Sequence, residues 1–301
     1  MERELSQVLQ QCHHLTRPYR IDSGDGFRLN QIDPGDTLEL PSDKKAAREA
    51  LEQGVQMLSE LQQRLYAQNK WAVLLIFQAM DAAGKDGTIK HVMSGVNPQG
   101  CQVTSFKAPS ALDLDHDYLW RANQALPERG RIGIFNRSYY EETLVVRVHP
   151  ELLAKQSLPP DLVGPKLWKQ RFEDIRHYER YLSRNGVVVL KFFLHLSKEE
   201  QKRRFLQRLE RPEKNWKFSA ADIRERGFWE DYSQAYEEMI RETATAHAPW
   251  FVVPADHKWF TRLVVAAAVI ESLDGLDLRY PEVSQEAKQA LAQAREQLLA
   301  E

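Results

Sequence analysis

Short apolar runs punctuate the chain, and the segments between them repeat their apolar positions every three to four residues. The run 72–77 (AVLLIF) is apolar on both faces and rich in strand formers, which predicts a central parallel strand. Further strands are expected at 101–106, 131–135, 187–193 and 250–253, and helical patterns at 113–124, 165–184, 198–211, 220–245 and 259–273. Ahead of the first strand Leu51, Val55, Leu58, Leu61 and Leu65 recur at helical spacing, which predicts one amphipathic helix over 42–69 with Ser42 as its cap. Strands alternating with helices imply an α/β fold with a mainly parallel sheet covered on both faces. Residues 1–42 carry breaker clusters at 22–26 and 33–36 and read as an irregular arm lying over a neighbouring surface. The stretch 211–229 mixes Pro, Lys, Trp, Ser and Arg and reads as a mobile flap in which Trp216 and Trp229 pack; 287–301 reads as a charged helix.

Composition narrows the partners. Lysine plus arginine (41) nearly balance aspartate plus glutamate (43), so any polyanion must be held by a local cluster of positive charge. That balance argues against a generic nucleic-acid binder. The two cysteines, Cys12 and Cys101, show no metal-type spacing, and neither zinc nor a disulfide is expected. The longest apolar stretches, 71–77 and 263–270, are too short to span a bilayer, so a cytoplasmic protein without a membrane partner is expected.

The sharpest chemical signal is QAMDAAGKDGT over 78–88, a turn between the predicted central strand and a helix expected near Thr88. Phosphate needs inward backbone N–H groups, a glycine where a side chain would obstruct, a lysine, and a helix N-terminus. Gly84, Lys85 and Gly87 supply these parts, with Ala82, Ala83, Asp86 and Thr88 completing the loop. The pattern G-x-x-x-x-G-K-[ST] is broken by Ala79 at its first glycine and Asp86 at its hydroxyl position. Asp81 lies inside the loop, where phosphates would repel a carboxylate unless a cation intervened, so it is assigned to magnesium or to positioning the acceptor. A glycine turn with surface charges is the plainer alternative, and the strand–turn–helix context weighs against it.

A second constellation, RIGIFNRSYYEE over 131–142, ends another apolar strand, where open α/β sheets place their ligands. Asn136 takes the place of a metal-orienting acid, Arg137 can fork onto phosphate oxygens, and Glu141 can meet a metal or a nucleotide. Third, Arg204, Arg208 and Arg211 fall at i, i+4 and i+7 and would form one cationic stripe for a phosphate chain, with Lys214 and Lys217 beyond; interspersed glutamates make a solvated mixed-charge helix the common alternative. Lys90 joins the candidate polyphosphate set, and Lys107 at the end of the second strand is placed to face the crevice. The nine histidines show no metal spacing.

These motifs in this order resemble the polyphosphate kinase 2 family: MDAAGKDG at 80–87, KAP at 107–109, FNRSYYE at 135–141, KNWK at 214–217 and WEDY at 229–232. The likeness runs from about residue 20 to 275. It implies a single domain with a P-loop NTPase-like three-layer α/β/α core similar to thymidylate kinases, a helical lid at about 198–232, and a helical tail at about 276–301. It also implies magnesium dependence, with manganese as a substitute, and a homodimer or homotetramer. By the resemblance Asp81, Lys85 and Arg137 match essential residues and Arg204, Arg208 and Lys214 a phosphate-binding set. Asn136 and Glu141 resemble the subgroup that phosphorylates both AMP and ADP; guanine nucleotides stay open as acceptors. The expected reaction is reversible transfer between inorganic polyphosphate and adenine nucleotides. An ATP-dependent nucleoside or nucleotide kinase and a non-catalytic nucleotide-binding protein are the rivals.

Overall fold

The structure, a computed structural model, describes residues 2–41 and 43–301, with the side chains of residues 2–7, 44 and 217 outside the description. The chain opens with α1 (Glu2–Thr16), β1 (Arg20–Ile21) and α2 (Lys44–Gln68), then β2 (Ala72–Gln78), α3 (Lys85–Val92) and β3 (Cys101–Ser105). Two short helices, α4 (Ala111–Leu114) and α5 (Trp120–Gln124), lead to β4 (Ile132–Asn136), followed by α6 (Val145–Val148), α7 (Pro150–Leu153) and α8 (Leu167–Arg184). The second half comprises β5 (Val187–His195), α9 (Lys198–Glu210), α10 (Ala220–Gly227), α11 (Trp229–Thr243), β6 (Trp250–Pro254), α12 (Lys258–Asp274) and α13 (Gln285–Ala300).

The six strands form one sheet in the order β1-β6-β5-β2-β4-β3, parallel except for β1. Every residue of β2 is buried because both its faces are covered. Successive side chains serve opposite cores: Val73, Leu75 and Phe77 pack with Leu58, Leu65 and the apolar run of α12, whereas Leu74 and Ile76 pack with Phe135, Phe172, Ile175 and Met239. The result is three layers. Trimming one of these side chains to alanine in such a centre costs about 2–5 kcal/mol.

Several expectations shift. The arm over 1–42 holds α1, packed on α12, and β1, which pairs antiparallel with β6 in the register Arg20↔Phe251. Ser42 lies outside the described residues, and α2 is capped by Asp43, whose side chain accepts from Lys45 N at 2.8 Å and Ala46 N at 3.3 Å. The helix expected over 113–124 is split between α4 and α5, and the one over 220–245 breaks at Phe228, directly after Gly227. The helix after β2 starts at Lys85 rather than near Thr88. No helix among the described residues is long and apolar enough to cross a membrane.

Candidate active site

The loop after β2 and the end of β4 lie side by side because Phe77 and Asn136 are register partners on neighbouring parallel strands. Backbone conformation shapes the loop: Ala82 has φ 65°, and Gly84, the N-cap of α3, has φ 102°, where any side chain would be strained. A Cβ at Gly87 would meet nothing within 4 Å, which leaves its cavity side open. The N-terminus of α3 therefore opens into a cavity of about 700 Å³ bordered by Gly84, Lys85, Lys107, Asn136 and Arg208.

Side chains from the end of β2, from the loop and from the end of β4 meet here. Lys85 Nζ donates to Ala79 O at 3.0 Å. Burial, reinforced by the Arg137 charge, pushes the Lys85 ammonium down from the ordinary lysine range against the pull of Asp81, Glu141 and Asp86. Arg137 donates to Asp81 Oδ1 at 3.3 Å and stands 3.9 Å from Glu141 Oε2. The Glu141 charge, helped by Asp81, raises the Arg137 guanidinium against burial, which lowers it. Gln78, fully buried at the end of β2, donates to Glu141 Oε1 at 3.1 Å. Asn136 Nδ2 donates to Asp86 Oδ1 at 2.8 Å, so the carboxylate that replaces the usual hydroxyl is tied to the adjacent strand.

Two further cavities meet the first. One, of about 260 Å³, is bordered by Phe106, Pro109, Tyr118, Tyr139 and Val145; the other, of about 460 Å³, lies towards α10 and α11 with Asp222, Trp229, Tyr232 and Tyr236 on its wall. Among the described residues Arg137 is the only one that borders all three. Beneath it a buried network fixes the turn carrying Glu141. Tyr139 and Tyr140 hydroxyls donate to Glu179 Oε1 at 2.8 and 2.7 Å, and Lys191 Nζ donates to Glu179 Oε2 at 2.6 Å and to Thr243 O at 2.8 Å.

The arginine stripe does not form one surface. Arg208 borders the loop cavity, and Arg211 is exposed and paired with Glu213 at 2.8 Å, but Arg204 is only 4% exposed. Arg204 is spent on protein groups: Nη1 donates to Ala82 O and Ala83 O, Nη2 to Ala255 O and Asp256 O, and Nε to Glu200. Helical spacing shows that three side chains share a face, not that the face meets ligand. Thr88 is also buried, with its backbone N–H given to Gly84 O, and neither it nor Lys90 nor Lys214 borders the loop cavity. The Lys217 side chain lies outside the described part of the residue. Trp216, expected to pack, is 78% exposed and borders the cavity. Sequence reasoning missed Gln78, Gln201, Asp222 and the Glu179 network; Asp222 alone carried a signal, the S-x-x-D capping box from Ser219.

No group of three His, Cys, Asp or Glu residues able to hold a metal occurs among the described residues. Magnesium does not need such a cage, since it keeps several waters and binds through one or two carboxylates plus phosphate. Asp81 and Glu141 fit that demand. Asn136 can offer only its Oδ1, since a carboxamide nitrogen donates and does not ligate a metal; that nitrogen donates to Asp86.

A phosphate-type loop at the end of a central parallel strand, faced by an arginine from the next strand, is the architecture of an α/β phosphotransferase. Comparison with known proteins narrows the class: the family description "Polyphosphate kinase 2 (PPK2)" matches residues 41–281. The chain belongs to this family. It is 51% identical over 289 residues to an "ADP-polyphosphate phosphotransferase" of Rhodopseudomonas palustris, covering 94% of this chain and 98% of that protein. It is 45% identical over 266 residues to an "AMP/ADP-polyphosphate phosphotransferase" of Meiothermus ruber, covering 88% and 96%. The crystal structure of polyphosphate kinase 2 from Arthrobacter aurescens TC1 superposes with a TM-score of 0.82 at 37% identity, over 91% of this chain and 94% of that one.

Proposed function

We propose that the chain transfers phosphate reversibly between inorganic polyphosphate and AMP or ADP, yielding ADP or ATP. The carrying observation is the place of Arg137, a cation within reach of the loop lysine and two carboxylates at the junction of three cavities. The names of the Rhodopseudomonas and Meiothermus relatives support the adenine nucleotides as acceptors.

In this reading the cavity around the loop takes the polyphosphate chain, with Lys85, Lys107 and Arg208 set against its charge. The smaller cavity behind Arg137, walled by Phe106, Tyr118 and Tyr139, takes the nucleoside. An acceptor phosphate oxygen forms a bond to the terminal phosphorus of the chain while the bridging P–O bond of that phosphorus breaks. The acceptor is already anionic, so no strong base is required; holding two polyanions in line and neutralising them dominates. Lys85 and Arg137 stabilise the equatorial oxygens, and Asp81 and Glu141 orient Arg137 and would hold magnesium or manganese. When bound, the ion offsets the charge that donor and acceptor share. The segment 198–232 serves as the lid that excludes water, and a cytoplasmic homodimer or homotetramer completes the reading.

The test is direct. Purified protein receives magnesium and long-chain polyphosphate with AMP or ADP separately, nucleotides are separated by chromatography, and Lys85→Ala is the control. ADP and ATP forming from AMP, and not in the control, are the expected result. Reaction of ADP alone removes AMP from the acceptors, and reaction only with ATP as donor replaces the reading by an ordinary nucleotide kinase.

A further inference from the structure

A phosphate-binding loop turns its N–H groups inward, which turns carbonyls outward, and buried carbonyls need donors of their own. Helix α9 supplies them to three consecutive residues. Gln201 Nε2 donates to Asp81 O at 3.0 Å, and Arg204 Nη1 donates to Ala82 O at 3.0 Å and Ala83 O at 2.8 Å. Gln201, like Arg204, is 4% exposed. Its other amide atom, Oε1, accepts from Arg226 Nη1 at 2.8 Å, and Arg226 belongs to α10. The orientation of the amide is dictated by its neighbours, since exchanging O and N would set oxygen against a carbonyl and NH₂ against a guanidinium.

Building on the polyphosphate-kinase reading, we propose that Gln201 is a positioning residue that couples α10 to the phosphate loop. The amide is satisfied at both ends only while α10 is in place. Withdrawal of α10 leaves Oε1 buried without its donor and releases the constraint on the backbone of Asp81, the residue whose side chain meets Arg137. Arg204 is the fixed half of the same template: it is also bonded to Ala255 O and Asp256 O after β6, and these contacts do not involve α10. Within the 198–232 segment α9 is thus the base, tied to the core through Arg204, and α10 is the part whose position Gln201 reports.

Hydrogen exchange on the full chain without substrate tests the coupling. Arg226→Ala and Gln201→Met each speed exchange of loop residues 79–88 by about tenfold, and the double variant goes no further than either single one. In the polyphosphate assay the same variants lose about tenfold in kcat with KM for AMP within about twofold. Gln201→Glu keeps an acceptor for Arg226 but loses the donor to Asp81 O, so it follows Gln201→Met rather than the natural chain. Loop exchange unchanged by Arg226→Ala, or a double variant equal to the product of the singles, overturns the coupling. Because exchange is read without substrate, a chain that consumes no polyphosphate defeats the proposed function while the exchange contrast still decides the coupling.

Discussion

Arg137 reaches Asp81 at 3.3 Å from a backbone held at φ 63°, a left-handed conformation that a long side chain adopts at a cost. Its amide nitrogen is bonded to Phe77 O at 3.0 Å, so the strained residue is pinned to the central strand from which the loop departs. The strain sits at the junction of three cavities, and strained residues of this type cluster at active sites.

Arg137→Gly therefore separates stability from activity. Glycine accepts the left-handed conformation, so urea unfolding should show a change within about 1 kcal/mol. Turnover of AMP with polyphosphate should fall by about 10³-fold. Retained turnover would remove Arg137 from the reaction.

Arg204 and Arg208, one helical turn apart, should fail in different ways. Arg204→Ala strips donors from four carbonyls, two of them in buried contacts, and should lose about 3 kcal/mol or more of stability along with activity. Arg208→Ala, which removes a guanidinium from above the Phe205 ring, should lose less stability than Arg204→Ala and raise KM for polyphosphate. Equal stability losses in the two variants would contradict the assignment.

The buried pair Lys191–Glu179 gives a pH signature. Burial pushes the Lys191 ammonium down while Glu179 holds it up. Glu179→Gln leaves that cation unpaired in the core and should cost about 3–5 kcal/mol near neutrality. In the variant the folded pKa falls further below the unfolded lysine value, so between the two the unfolded state binds the extra proton and stability rises with pH. Denaturation at a series of pH values should show the deficit narrowing on the alkaline side; a deficit constant with pH would show that Lys191 is not the source.

Lys85 sets the alkaline limb of activity. Its downward shift, caused first by burial and then by Arg137, means that the required ammonium is lost below the usual lysine value of about 10.4. A profile of kcat/KM against pH should descend before that point, and Lys85→Arg should remove the descent from whatever activity remains. A descent that persists in Lys85→Arg belongs to another group.

The central strand and the strand ends were legible because burial on both faces leaves an unbroken apolar run, as in β2, and because a polar cluster directly after such a run, as at Asn136 and Arg137, can only sit at the sheet's edge of action. The role of Arg204 was not legible, since periodicity gives a shared face and not the identity of what that face meets. β1 escaped because two residues become a strand only through pairing with Trp250 and Phe251, more than two hundred positions away. Gln78 and Gln201 escaped for a related reason: a single amide carries no pattern until the groups at its two ends are known.

That distant pairing separates the limits of the family from the limits of folding. The family match spans 41–281, yet Cys12 and Tyr19 belong to the same core as Val264 and Phe260, and Tyr19 donates to Asp36 at 2.6 Å. A chain trimmed to the matched span would take α1 off α12 and strip β1 from β6. An open row of backbone donors and acceptors would then lie beside Phe251, ready to recruit the strand of another molecule. The first forty residues thus act as a stopper on the sheet, and their removal should show as clumping before any loss of chemistry.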